Sequence, residues 1–188
     1  MRPAAPPVAV GPDGGDLHGD DIAPQGDAAR GSGMTLDDAT VVHLLQEAIA
    51  KDRVDLMLQP IVSLPQRKTR FYEAYTRVRD ENDEVISPSQ YISIAEREGL
   101  VTALDNFMLF RCVQLLRNRH NRQGNLGFFC NISPRTLADK KFFNDFVMFM
   151  TENASLAPNL IFEFTRATIA NQDDEIRHQL GRLAALGF

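Results

Sequence analysis

No stretch of this 188-residue chain approaches the ~20 consecutive apolar residues that a membrane-crossing helix requires. The chain is therefore not expected to contain a membrane span. The N-terminus also lacks the charged-then-apolar order of a signal peptide. No block of Lys or Arg occurs, and 20 basic against 25 acidic side chains give a formal net charge of −5. That balance argues against nucleic acid or an anionic membrane surface as a partner. Cysteine is scarce: Cys112 and Cys130 are the only two. They are far apart in the sequence, and each sits in an apolar run. They read as buried, reduced thiols rather than a disulfide or a metal pair, which fits a cytoplasmic setting.

What is present is ordinary for one globular domain: 44% hydrophobic and 24% charged residues. Residues 1–33 are rich in Pro, Gly, Ala and Asp without apolar periodicity, and read as a disordered linker. Within it, His18-Gly-Asp-Asp21 reads as a solvated tail, since nothing rigid would hold a metal there. A linker at the start is expected to follow a missing upstream segment. Thr35, with Asp38 three residues on, predicts the cap of a helix within 34–52, carrying Val41, Leu44, Leu45 and Ala48 at helical spacing.

Strands are predicted over 55–64 and 70–79, joined as an antiparallel hairpin, with Pro60 marking an edge or irregular position. Ser87-Pro88 predicts a short helix start, and 94–118 the longest helix. Strands over 126–133 and 160–165 then alternate with helices over 141–153 and 173–186. Such alternation predicts an α/β fold with parallel strands. About four strands are too few to close a (β/α) barrel, which needs about eight.

The polar residues in these strands share a phase. In Phe71-Tyr-Glu-Ala-Tyr-Thr-Arg77, strand alternation puts Phe71, Glu73, Tyr75 and Arg77 on one face. A surface Glu–Arg pair is one reading of that face. However, Asn131 and Glu163 occupy matching positions in the next two strands. Two carboxylates and an amide oxygen gathered at strand ends suit a hard cation such as Mg²⁺ or Mn²⁺. A nearby Arg points to phosphate chemistry, and Gln59 offers an amide to a base edge.

Gln59-Pro-Ile-Val, Glu73-Ala-Tyr-Thr-Arg77, Ser87-Pro, Ala95-Glu96, Gly99-Leu100, Leu104-Asp105, Asn131-Ile-Ser-Pro134 and Glu163-Phe-Thr, in that order, resemble the EAL domain. The resemblance implies the N-terminal half of a TIM-type barrel over 53–188. The family it points to hydrolyses cyclic di-GMP with two Mg²⁺ or Mn²⁺ ions. It matches Glu73, Asn131 and Glu163 to metal ligands, Arg77 to a phosphate-binding Arg, and Gln59 to the nucleotide pocket.

Leu64-Pro-Gln-Arg-Lys, Phe110-Arg-Cys-Val-Gln, Phe128-Phe-Cys-Asn-Ile-Ser and Ile161-Phe-Glu-Phe-Thr further resemble the TipF group of degenerate members. That similarity implies a cyclic di-GMP-responsive regulator of flagellar motility, with flagellar or polarity proteins as partners. It also implies a membrane-anchored, homodimeric parent. Three departures from the family pattern predict an inactive chain. Tyr75 stands where the signature Glu-Ala-Leu has Leu, and Arg166 stands where the family has a second Glu. The family's paired Asp, Lys and loop Glu are expected beyond Phe188, which reads as a C-terminal truncation.

Overall fold

The structure, a computed structural model, describes residues 8–10, 37–120, 127–166 and 174–188. The described elements are β1 (Val8–Val10), α1 (Asp38–Ala50), β2 (Val54–Ser63), β3 (Lys68–Arg79) and β4 (Val85–Ile86). They continue as α2 (Pro88–Glu98), α3 (Val101–His120), β5 (Gly127–Asn131), α4 (Pro134–Ala138) and α5 (Lys140–Glu152). A 3₁₀ turn (Ala154–Asn159), β6 (Leu160–Glu163) and α6 (Asp174–Ala185) complete them. The strands form one sheet in the order β1-β2-β3-β5-β6, with β4 paired to the end of β3. β1 to β2 and β2 to β3 are antiparallel, while β3, β5 and β6 run parallel. The predicted hairpin and parallel array are both present.

Strand alternation divides the sheet into two faces. Leu56, Leu58, Ala74, Phe128, Cys130 and Leu160 are buried in one apolar cluster with Met108, Leu109, Cys112, Phe143, Val147 and Met150 of α3 and α5. A second cluster joins Val41, Leu45 and Ala48 of α1 to Val54, Val78, Tyr91 and Leu104. Among the described residues, helices thus cover one face. On the other, Met57, Phe71, Glu73, Tyr75, Arg77, Phe129, Ile161 and Glu163 are half-buried, and Gln59 and Asn131 are exposed. Phe71 and Phe129 meet edge-on there, with ring centroids 5.3 Å apart. Gly127 makes that contact possible, because a Cβ in its place would lie 2.5 Å from Phe71 Cδ1.

Four expectations are corrected. The cap of α1 is Asp37, whose carboxylate accepts from Thr40 N at 2.9 Å and Thr40 Oγ1 at 2.8 Å. An ionised acceptor holds the free helical N–H there, and Thr35 lies outside the described residues. The helix predicted over 94–118 is two helices, α2 and α3, bent by 111°. Gly99 separates them in the left-handed region at φ 79° and so caps α2. Ser133 does not extend β5, which ends at Asn131; it caps α4, with its Oγ accepting from Thr136 N and Pro134 as the first helical residue. Finally, the sheet has six strands rather than about four. One of the additions, Val8–Val10, falls inside the stretch read as a linker, where it pairs with Leu56–Leu58. The rest of 1–33, including His18-Gly-Asp-Asp21, lies outside the described residues. No single described helix is long and apolar enough to cross a membrane.

Candidate functional site

Register brings the candidate residues together. Gln59 lies directly opposite Glu73 in the β2–β3 ladder, so both point to the helix-free face. β5 follows β3 with Glu73 beside Phe129, and β6 follows β5 with Asn131 beside Glu163. Asn131 Nδ2 donates to Glu73 Oε1 at 3.3 Å across 58 residues of sequence. Parallel strands end on the same side, and Asn131 and Glu163 are the last residues of theirs. The two carboxylates and the amide therefore gather where β5 and β6 stop, as the shared phase predicts.

Glu73 and Arg77 do not form an ion pair. Arg77 Nη1 donates to the Thr76 carbonyl at 3.0 Å, and its guanidinium lies 5.8 Å from the centre of the Tyr75 ring. Tyr75 stands between them on the same face. Burial pushes its phenol up to about 12, aided by the Glu73 carboxylate facing its hydroxyl and by the charge of Glu163. The Arg77 charge opposes that rise.

Among the described residues, no group of three or more His, Cys, Asp and Glu is placed to hold a metal ion. What the site offers is two carboxylates and one amide oxygen. That set of hard oxygen donors fits Mg²⁺ or Mn²⁺, which keep several waters or take oxygens from a bound phosphate.

The strand exit beside this site is tied down by a residue that phase analysis missed. Asp105 of α3 is only 9% exposed. Its Oδ2 accepts from Ser133 N at 2.8 Å and from Thr136 Oγ1 at 2.7 Å. Burial pushes its carboxyl above the ordinary value, while these two donors pull it back. An acid inside the apolar stripe Leu104–Met108 was the sequence signal for it. Behind the site, Cys112 and Cys130 are free and buried. The neighbouring Cys112 side chain, and then burial, push the Cys130 thiol well above its ordinary value, so it stays unreactive.

The sequence matches the EAL domain over residues 43–188. The chain belongs to the EAL domain family. It is 26% identical over 151 residues to the cyclic di-GMP phosphodiesterase PdeF of Escherichia coli K12, a match that covers 80% of this chain and 20% of that protein. The chain thus spans about a fifth of that relative's length. The EAL domain of Xanthomonas citri FimX, solved with c-diGMP, superposes with a TM-score of 0.67 at 21% identity, covering 79% of this chain and 58% of that one. The PaMucR phosphodiesterase in its c-di-GMP complex gives 0.68 at 26% identity, covering 79% and 60%. In EAL terms, β3 carries the signature with Tyr75 as its third residue, and Arg166 is an exposed residue three beyond Glu163.

Proposed function

We propose that this EAL domain binds cyclic di-GMP as a receptor rather than cleaving it. The observation that carries the reading is the helix-free sheet face on which Gln59, Glu73, Tyr75 and Arg77 sit beside Asn131 and Glu163. Among the described residues no carboxylate holds Arg77, so its planar fork is available to a phosphodiester. Gln59 presents an amide to a base edge, and the Tyr75 ring offers a stacking surface. Glu73, Asn131 and Glu163 would hold one Mg²⁺ or Mn²⁺, which polarises a phosphoryl oxygen when bound.

Two residues weigh against turnover. Tyr75 is bulkier than Leu, and its phenol, raised by burial and by the Glu73 charge, narrows the face beside that carboxylate. Arg166, an exposed cation three residues beyond Glu163, would oppose a divalent cation there. The similarity of four segments to the TipF group supports a role in flagellar motility, with polarity or flagellar proteins and a second copy as partners. The kept set Glu73, Asn131 and Glu163, and the match to a phosphodiesterase, favour a second reading: a portion of an active Mg²⁺/Mn²⁺-dependent hydrolase.

Calorimetric titration with cyclic di-GMP, in chelator and again in Mg²⁺, tests the receptor. Binding is expected in both, and Arg77→Ala is expected to weaken it about 10- to 100-fold, the worth of a charge-assisted hydrogen bond. No heat in either condition removes the receptor reading. Incubation with Mn²⁺ separates it from the hydrolase: linear dinucleotide formed by the chain and abolished by Glu73→Ala overturns the proposal.

A further inference from the structure

The buried carboxylate of Asp105 belongs to α3, yet everything it holds belongs to the turn that leaves β5. Ser133 N donates to its Oδ2 at 2.8 Å, and Thr136 Oγ1 donates to the same oxygen at 2.7 Å. Ser133 Oγ lies 2.8 Å from Thr136 Oγ1 and accepts from Thr136 N at 3.2 Å. A hydroxyl has one proton. Thr136 gives its proton to Asp105, so Ser133 must give its own to Thr136. The chain of donors therefore runs one way, from Ser133 through Thr136 to a single carboxylate oxygen.

The residue before Ser133 is held from the other side. Ile132 N donates to the Glu163 carbonyl at 3.0 Å. Consecutive backbone amides just past Asn131 are thus fixed by α3 and by β6. Asn131 is exposed, and its side-chain bond to Glu73 is 3.3 Å long. Burial does not hold that side chain, so its aim depends on the backbone that carries it.

We propose that Asp105 is a positioning residue for the site: by fixing the exit of β5 it aims Asn131 at Glu73 and sets its spacing from Glu163. Asp105 touches neither a ligand nor the three candidate ligands. It acts through Ser133 and the backbone between them. This inference rests on reading Glu73, Asn131 and Glu163 as the site.

The test compares Asp105→Ala with Asp105→Asn in the 188-residue chain, with folding checked by circular dichroism. Asn keeps an acceptor oxygen at the same place. The first readout needs no ligand: the side-chain amide signal of Asn131 in a ¹⁵N correlation spectrum, identified by its loss in Asn131→Asp. Asp105→Ala is expected to move that signal to the position of a free, solvated Asn, while Asp105→Asn leaves it near the wild-type position. The second readout is cyclic di-GMP affinity. It is expected to fall about tenfold in Asp105→Ala and to return to within about threefold of wild type in Asp105→Asn, since a lost acceptor and a kept one differ by about that much.

If the wild type binds no cyclic di-GMP, the receptor reading fails, and the amide signal still decides the role of Asp105. If Asp105→Ala does not fold, Thr136→Val replaces it, removing the hydroxyl link at similar shape; it is expected to displace the Asn131 signal in the same direction. An Asn131 signal that stays in place in a folded Asp105→Ala or Thr136→Val variant overturns the proposal.

Discussion

Glu73 shows how much a single residue's meaning depends on its neighbours. Alone in its strand it has an obvious partner in Arg77, on the same face. In the fold its bond is to Asn131 instead, and Arg77 donates to the Thr76 carbonyl. Tyr75 carries a measurable consequence. Its folded pKa of about 12 exceeds the ordinary phenol value of about 10. The folded state therefore keeps a proton that the unfolded state releases between these values. The stabilisation is complete below pH ~10 and is lost as pH rises towards ~12. Absorbance titration at the phenolate band is expected to show a tyrosine titrating near 12, and Tyr75→Phe should remove that step. A Tyr75 that titrates at the ordinary value would mean that its hydroxyl is solvated and Glu73 is free.

Among elements, the joint between α2 and α3 is the place where pattern and fold part company. Apolar residues recur from Ile94 through Leu116, and a single stripe predicts a single helix. Gly99 breaks it at φ 79° and turns the axis by 111°. The packed result explains the failure: Ile94 and Ala95 face one apolar cluster with α1, whereas Cys112 and Leu116 face the other. Hydrophobic spacing records which residues are buried, not against which partner. Gly99→Ala is expected to lower stability by about 1–2 kcal/mol, because a Cβ is strained at positive φ. The added Cβ would also lie 3.2 Å from the Arg135 guanidinium. Urea denaturation measures this, with the midpoint shifting and the slope unchanged. By contrast, β3, β5 and β6 were legible because period-two alternation ties each polar residue to a face, and parallel pairing aligns the faces. Asp105 was harder to see, since its partners lie 28 and 31 residues away, beyond any local pattern.

For the whole molecule, the sheet is covered by helices on one side and bears its candidate site on the other. Among the described residues, its edge at β2 is paired by three, Val8–Val10. Removing residues 1–10 is expected to uncover that edge and promote self-association, seen as a higher apparent mass by light scattering. An unchanged mass would show that this short strand does not guard the edge. The register of β2 with β3 also steps by one residue between Ile61 and Val62, where Arg70 is passed over. The step lies between the hairpin tip, with Leu64 79% exposed, and the Gln59–Glu73 pair. Beyond it, the phase of the tip is set independently of the phase of the site. A residue gained or lost between Pro65 and Arg67 would lengthen or shorten a solvated loop. One gained or lost between Glu73 and Arg77 would send every later side chain of β3 to the opposite face. Descendants of this sequence are therefore free to vary in length at the tip, while the seven residues from Phe71 to Arg77 admit substitution but no change of length.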